Sequence, residues 1–373
     1  MRLMIMLSGF AMGGAERNIV SLLPYIRDLE GVTPIIGTLN TWRDSPLVET
    51  FEETGVRRID LNARKLIDPP AWRRFLRMLR EEQIDVISTQ DQYTNMFGAL
   101  AHWRSDVPVV MTRHVMVEPD ETYREAIKAK LMLRAARLGA DHVIAVSEAV
   151  RQHFSKQAGV PLSRIDTIYN GLDVSRFETW GKRAEIRAKL GWGADEKIAI
   201  MVAVLRRGKG HEVLFDAVPA LRDSIPGVKI KLVGDGELNE TLRAQASELT
   251  DCVEFMGQRT DVPDLLGASD LLLLPSWTEA LPTVLIEAGA ARLPVVATDV
   301  GGTREIVADG ETGFVIEPGD SQALADRMGR VLSNEARARD MGEKAHAHVL
   351  KTFSLQRQAE ETVALMDRVR RGG

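Results

Sequence analysis

The sequence has one cysteine and no long apolar run. Cys252 is alone among 373 residues, so an intrachain disulfide is excluded and a reducing compartment is expected. No stretch of about twenty apolar residues is present that could span a bilayer. The apolar run at residues 3–7 is too short for the core of a signal peptide and predicts a first strand. These features favour a cytoplasmic protein.

Aromatic residues and net charge are also low. Aromatics make up 5% of the chain and the formal net charge is −5, which argues against a nucleic-acid-binding protein. Hydrophobic residues make up 45% and charged residues 27%, as in an ordinary globular enzyme. A chain of 373 residues is too long for one ordinary core, so two domains are expected.

Short apolar runs alternate with amphipathic helical patterns, and this alternation occurs twice along the chain. It is typical of the α/β class, here with two doubly wound Rossmann-like domains. An Asn-Gly turn signal at residues 170–171 marks the linker. We therefore predict a first domain at 1–172, a second at 173–352, and a final helix at 353–373 that packs back on the first domain.

Two glutamates flank a predicted helix start in the second half. Pro282 suits the first helical position, because its missing N–H would have no partner there, so a helix is predicted from about 282 to 291. Glu279 precedes this helix, and Glu287 lies inside it, roughly 8 Å along the axis. They are too far apart to form one acid/base pair, so they are predicted to hold different parts of one ligand. Alternatively, Glu279 caps the helix dipole and Glu287 faces solvent.

Three further positions have the character of binding sites. Lys209 and Gly210 stand in a basic turn before a predicted helix, where backbone N–H groups and a lysine charge favour a phosphate, although a solvated loop is the plain alternative. Gly13 and Gly14 follow the first strand without the full Gly-x-Gly-x-x-Gly spacing, which argues against an NAD-dependent oxidoreductase. His114 follows a strand and should stand at the ligand-binding edge of a sheet.

The segment 275–320 combines Glu279 and Glu287 with a Pro-Val-Val-Ala-Thr strand and a Gly-Gly turn. It resembles the signature of the retaining family-four glycosyltransferases, and the layout of the whole chain resembles their GT-B architecture, with two domains facing a cleft. The resemblance implies an acceptor-binding first domain and a second domain that binds a nucleotide-sugar donor, with UDP favoured over GDP. The acceptor hydroxyl is expected on a glycan, a lipid-linked sugar or a small molecule.

The resemblance also implies roles for single residues. Glu279 and the backbone amides after it would hold the donor sugar, and Glu287 would bind the ribose hydroxyls. Lys209 would hold the diphosphate, and His114 would contact the sugar near the reaction centre. The other implied donor-binding residues are Gly13, Gly14, Leu281, Pro282 and Thr283.

Two positions depart from the family pattern. Val204 stands where the family has a phosphate-binding arginine, so Arg206 is predicted to replace it if the strand continues, with Arg207 as the alternative. Arg292 stands where glycine usually ends the helix, so a changed C-cap and an added guanidinium near the site are expected.

The implied chemistry is sugar transfer with retention of the anomeric configuration, by same-face displacement in which the leaving-group oxygen assists deprotonation of the acceptor. No Asp-x-Asp sequence occurs, so we expect neither a metal nor another cofactor. Two other functions stay open: a nucleotide-sugar epimerase or hydrolase on the same fold, and a non-catalytic nucleotide-sugar or glycan-binding protein.

Two basic stretches lie in the predicted acceptor domain. Residues 57–80 contain eight basic and two acidic residues, and residues 122–138 contain five and one. They could dock transiently on anionic lipid at the inner membrane face. The alternative is a helix with Trp72, Phe75, Leu76 and Leu79 on its core face and solvated arginines opposite. The oligomeric state is left open.

Overall fold

The computed structural model describes residues 1–10, 13–40, 45–63, 68–116, 133–134 and 137–372. The chain forms two compact units, each of which is described by itself. The first unit comprises Met1–Leu172 together with Leu355–Gly373, and the second comprises Asp173–Ser354. The final segment of the chain therefore belongs to the first unit.

Buried runs of branched and long aliphatic residues form the strands of both units, because such runs can be covered on both faces of a parallel sheet. Within the described ranges the strands are β1 (Arg2–Leu7), β2 (Thr33–Thr38), β3 (Arg57–Asp60), β4 (Val86–Thr89), β5 (Val109–Arg113), β6 (His142–Ala145), β7 (Ile165–Thr167), β8 (Ile198–Val202), β9 (Lys229–Val233), β10 (Val253–Gly257), β11 (Leu271–Leu274), β12 (Val295–Thr298) and β13 (Gly313–Ile316).

Helices connect these strands. Within the same ranges they are α1 (Gly14–Arg27), α2 (Pro46–Glu53), α3 (Pro69–Glu81), α4 (Gln92–Arg104), α5 (Glu148–Ala158), α6 (Arg183–Leu190), α7 (His211–Ser224), α8 (Asn239–Gln245), α9 (Val262–Ala268), α10 (Thr283–Ala290), α11 (Thr303–Ile306), α12 (Ser321–Leu332), α13 (Glu335–Thr352) and α14 (Leu355–Arg370). None of these described helices is long and apolar enough to cross a membrane.

Each unit contains one parallel sheet with a reversal of strand order at its centre. The first sheet has the order β3-β2-β1-β4-β5-β6-β7, and the second has the order β10-β9-β8-β11-β12-β13. The order reverses between β1 and β4 in the first sheet and between β8 and β11 in the second. Loops at the carboxyl ends of strands beside such a reversal form the usual ligand crevice of a doubly wound sheet. The prediction of two Rossmann-like α/β domains is confirmed.

Helix α14 completes the core of the first unit. Its residues Leu355, Ala359 and Met366 are buried with α1 and β1 in one apolar cluster. A buried amide network adds specificity, because Gln358 Nε2 donates to Asn18 Oδ1 at 2.9 Å and Gln358 Oε1 accepts from the Gly171 backbone N–H at 2.7 Å. The last helix is thus tied both to the first helix and to the chain segment that leads out of the unit.

Helix α3 separates apolar from basic residues. Phe75 and Leu79 are buried, whereas Trp72 and Leu76 are half-buried. The arginines of this helix are exposed on the opposite side: Arg73, Arg74, Arg77 and Arg80. The expected core face is therefore present. Residues 64–67 of the first basic stretch, and most of the second stretch at 122–138, lie outside the described residues.

Helix α10 ends in a left-handed residue that is not glycine. Arg292 has φ +58°, and the Leu293 N–H donates to the Ala288 carbonyl at 2.9 Å, as in a Schellman motif. The expectation of a changed C-cap at Arg292 is wrong, because the left-handed geometry persists without glycine. Its guanidinium pairs with Glu343 of α13 at the far end of α10, roughly 12 Å from the start of that helix.

We predict that the free energy of unfolding of Arg292→Gly is about 1 kcal/mol higher than that of Arg292→Ala. Alanine is sterically strained at a positive φ, whereas glycine is not. Urea denaturation measures the difference. Both variants lose the ion pair with Glu343, so Glu343→Gln reports its separate contribution. Equal stability of the glycine and alanine variants would contradict the steric explanation.

Candidate active site

The turn after β8 does not continue the strand. β8 ends at Val202, and residues 203–210 form an irregular turn before α7. The Val204 side chain is exposed, as are Arg206 and Arg207. The role of Arg206 was predicted on the condition that the strand continues to it, and this condition is wrong. A phosphate-binding role for Arg206 therefore depends on its position in this turn. Arg207 has an equally exposed position.

Gly210 brings this turn against the loop that follows β11. It has φ +74°, and a Cβ at this position would collide with the Pro275 carbonyl oxygen. The loop is fixed further by the Trp277 N–H, which donates to the Gly208 carbonyl at 2.9 Å, and by Trp277 Nε1, which donates to Glu212 of α7 at 2.7 Å. The turn at residues 203–210 and the loop that follows β11 are therefore packed together as one assembly in the second unit.

Glu279 lies at the centre of this assembly. Its Oε1 accepts from Lys209 Nζ at 2.7 Å and from Ser276 Oγ at 2.8 Å. The Lys209 and Glu279 side chains are only 15% and 12% exposed, so solvent screens their attraction weakly. Among the described residues Oε2 makes no hydrogen bond, which leaves it free to accept from a ligand hydroxyl.

The Gly-Gly turn after β12 supports the backbone of the Glu279 loop. Gly301 has φ +53°, and a Cβ there would collide with the Glu279 carbonyl oxygen. The Gly302 N–H donates to the Ala280 carbonyl at 3.0 Å. Thr298 adds a buried hydroxyl that donates to the Ser276 carbonyl at 2.5 Å. Backbone contacts from a second strand thus hold the carboxylate in place.

Helix α10 starts one residue later than expected. Pro282 is its N-cap rather than its first residue, and no side chain caps the helix. The Leu285 N–H donates to the Pro282 carbonyl at 3.0 Å, and the first turn, which begins at Thr283, carries the positive dipole end of the helix. Leu281 and Pro282 are buried, and Glu287 is half-buried in the second turn. The start of α10 is therefore suited to bind an oxygen-rich ligand.

In the first unit, His114 directly follows β5. Its Nε2 lies 2.9 Å from Gln90 Oε1, and Gln90 Nε2 donates to Ser88 Oγ at 2.7 Å. This arrangement puts the imidazole proton on Nε2 and leaves Nδ1 as an acceptor. Burial, with a contribution from the Arg113 charge, lowers the pKa of His114 to about 4. His114 is therefore neutral at pH 7, and its buried Nδ1 has no partner among the described residues.

Gly13 and Gly14 begin α1. Gly13 is the N-cap with φ −73° and ψ 163°, a conformation open to any residue. A Cβ at Gly14 would meet open space, whereas one at Gly13 would meet the Glu16 carboxylate. Burial and the nearby Asp91 raise the pKa of that carboxyl. The structure shows room beside Gly14 but no conformational need for glycine at either position; residues 11–12 lie outside the described residues.

The structure adds two residues that the sequence analysis did not single out. Ser276 shares Glu279 Oε1 with Lys209, and Gln90 orients His114. The position of Gln90 directly after β4 was an available signal, because β4 and β5 are neighbours whose carboxyl ends share an edge. For Ser276 the only available sequence signal was its position three residues before Glu279. No group of three or more His, Cys, Asp or Glu residues in the described part of the chain could hold a metal ion.

Two family models match the chain and together span most of it. Residues 12–176 match the model described as Glycosyltransferase Family 4, and residues 182–348 match Glycosyl transferases group 1. A solved structure, Anabaena Alr3699/HepE in complex with UDP, superposes with a TM-score of 0.86 at 25% identity, covering 99% of this chain and 100% of that one.

Curated relatives match over a part of their length. The N-acetyl-alpha-D-glucosaminyl L-malate synthase of Bacillus anthracis is 33% identical over 52% of this chain, and the match spans 51% of that protein. The D-inositol 3-phosphate glycosyltransferase of Nocardia farcinica is 29% identical over 71% of this chain, and the match spans 62% of its length. The chain is thus similar to glycosyltransferases with different acceptors.

We predict that Lys209 and Glu279 are energetically coupled by about 1–3 kcal/mol, because removing one partner leaves a weakly screened charge without its counter-ion. Urea denaturation of Lys209→Met, Glu279→Gln and the double variant gives the coupling. The exposed pair Arg339–Glu335 provides the control cycle, with an expected coupling below about 0.5 kcal/mol. Coupling at the 209–279 pair no larger than in the control would disprove the docked ion pair.

Proposed function

The chain belongs to the glycosyltransferases of family 4 and group 1, and we propose that it transfers a sugar from a nucleotide-sugar donor to an acceptor hydroxyl with retention of the anomeric configuration. The observation that carries this proposal is the Glu279 carboxylate, with one oxygen held by Lys209 and Ser276 and the other available. A carboxylate fixed in this way suits the recognition of sugar hydroxyls, because it accepts hydrogen bonds without having to reorganise.

The departing diphosphate requires positive partners that are already in place. We propose that Lys209, whose ammonium has three N–H donors, keeps its hydrogen bond to Glu279 and also donates to a phosphate oxygen, while Arg206 or Arg207 adds charge from the same turn. Helix α7 starts directly after Gly210 and directs its N-terminal dipole to this turn. Together these groups can stabilise the leaving group without a metal ion, and Glu287 is assigned to the ribose hydroxyls.

The proposed displacement takes place on one face of the sugar. The bond from the anomeric carbon to the phosphate oxygen breaks, the bond to the acceptor oxygen forms, and the acceptor proton passes to the departing phosphate oxygen. Glu279 holds hydroxyls and does not attack. In the first unit, neutral His114 offers Nδ1 as an acceptor for a substrate hydroxyl. No residue has to become a covalent nucleophile in this scheme.

UDP is the proposed donor nucleotide, since the HepE structures hold UDP, UDP with glucose, or UDP-glucose. The acceptor is proposed to be a hydroxyl of a glycan, a lipid-linked sugar or a small molecule. The names of the two curated relatives, which include L-malate and D-inositol 3-phosphate, support the small-molecule option.

We predict that UDP is released from one UDP-sugar at a rate that EDTA does not change and that Glu279→Gln lowers roughly 10- to 100-fold, the loss of one or two charge-assisted hydrogen bonds. The measurement is a screen of UDP-, GDP- and ADP-sugars with a mixed acceptor pool. Glu254→Gln is the control, because Glu254 also pairs with a lysine of the second unit but is largely exposed.

Loss of activity in EDTA that added metal restores would overturn metal independence, and equal rates for the two variants would overturn the role of Glu279. NMR of the product reports the anomeric configuration, and inversion would exclude the same-face displacement.

The basic side of α3 supports a second, peripheral contact. We propose that Arg73, Arg77 and Arg80 touch an anionic lipid surface transiently, since their side chains are exposed on one helix whose other side is buried. Arg74 is excluded from this group because its guanidinium donates to the Leu61 carbonyl at 2.7 Å.

Neutralising Arg73, Arg77 and Arg80 with glutamine is expected to weaken binding to phosphatidylserine vesicles by roughly 150-fold, at about 1 kcal/mol per charge near the surface. Vesicle cosedimentation at low and at physiological salt measures it, with neutral phosphatidylcholine vesicles as the control lipid. Equal binding of the wild type to phosphatidylserine and phosphatidylcholine vesicles would refute the contact.

A further inference from the structure

Arg113 is the last residue of β5, and its charge has no carboxylate partner among the residues that the structure describes. Its guanidinium stacks over the Phe154 ring of α5, with the Cζ atom 5.0 Å from the centroid. The one hydrogen bond it makes among the described residues is a long contact of 3.5 Å from Nη2 to the Val115 carbonyl. Nε is buried without a partner. Burial alone lowers the pKa of Arg113, to about 10, with no carboxylate opposing the shift.

Arg113 as a whole is half-buried, although its Nε is enclosed. A fully buried arginine shows how this protein accommodates such a group when its role is structural. The Arg187 side chain is 4% exposed and forms an ion pair with Asp270 at 2.8 Å. Its remaining N–H groups donate to the carbonyls of Ala268, Gly193, Ala194 and Glu196. Within the described residues Arg113 has no carboxylate partner and only the distant Val115 carbonyl. A guanidinium offers five donors, and a cation–π contact does not replace an anion where part of the group is withdrawn from water.

The position of Arg113 is also informative. It stands at the carboxyl end of β5, the sheet edge at which doubly wound domains bind ligands, and it immediately precedes His114. Arg113 contacts Phe154 on the α5 side of the sheet, whereas His114, which follows the strand, lines a cavity together with Thr112, so the two side chains point in different directions. The two residues can therefore contact different groups of one molecule that lies across the end of the strand.

We infer that Arg113 binds an anionic group, a phosphate or a carboxylate, of the acceptor, while His114 receives a hydroxyl. The identification of the ligand as the acceptor rests on the proposed function, whereas the existence of the anion site does not. A guanidinium presents two parallel N–H groups that match a phosphate or carboxylate in a bidentate pair. Binding would thus supply a counter-ion that the described residues do not offer to Arg113.

The first test needs no turnover. Inorganic phosphate or malonate, each at about ten times its Kd, is expected to raise the melting temperature of the wild type by about 2–4 °C more than that of Arg113→Met. Phosphate held at Lys209 would shift both proteins alike, so the difference between them reports Arg113. Without anion, Arg113→Met should melt no lower than the wild type, because the variant removes a half-buried charge that has no carboxylate partner among the described residues.

Arg57→Met is the matched control for loss of one positive charge from the first unit, because Arg57 is exposed and already paired with Glu82. It should respond to the anions as the wild type does, and Arg113→Lys should keep a part of the response. An equal thermal shift in the wild type and Arg113→Met, or no shift in the wild type with either anion, would overturn the anion site. A response to phosphate alone or malonate alone identifies which group the site takes.

The second test compares matched acceptors in the transfer assay: glycerol 3-phosphate against glycerol, and glucuronate against glucose. The wild type is expected to prefer one anionic member at least tenfold in kcat/KM, and Arg113→Met should lose this preference through a raised KM for the anionic acceptor. If Arg113→Met keeps the preference for the anionic acceptor, or if the wild type lacks it, Arg113 does not bind the acceptor. If no donor is turned over at all, the proposed function fails, and the thermal shift still decides the anion site.

Discussion

The arrangement of the second unit depends on the close contact between the turn after β8 and the loop after β11. Gly210 permits the approach, because any side chain there would strike the Pro275 carbonyl, and the Lys209–Glu279 ion pair fixes the register of the two segments. These strands are neighbours at the point where strand order reverses. A lysine and a carboxylate from distant parts of the sequence therefore meet at the ligand edge as a consequence of sheet topology.

Much of the fold and of the candidate site could be predicted from the sequence, and the reasons differ from residue to residue. The alternation of apolar runs and amphipathic stretches dictates two doubly wound sheets, and a residue just after a strand, such as His114, must stand at the carboxyl edge. The positions of Lys209 and Glu279 follow from the same rule applied to β8 and β11. What the sequence could not show is which oxygen of Glu279 is occupied, because this depends on the exact path of the loop that brings Ser276 to it.

The errors have a common cause in backbone conformation. Arg206 was placed on a continuing strand, but β8 ends at Val202. Arg292 was expected to change the helix end, yet the surrounding contacts hold it at φ +58°. In both cases tertiary packing outweighed the local preference of the residue, which a pattern of residue types does not record. Arg113 was not singled out from the sequence, because the lack of a counter-ion for it among the described residues is a property of its surroundings.

The position of α14 determines the order in which the protein can mature on the ribosome. The helix supplies Leu355, Ala359 and Met366 to the core of the first unit, although the whole second unit precedes it in the chain. At roughly 5–20 residues per second, synthesis leaves the first unit without its closing helix for about 10–40 s. The second unit, made of one continuous segment, can fold during that interval. The domain that is translated first is thus completed last, and its exposed apolar groove is the surface that a chaperone would meet on the nascent chain.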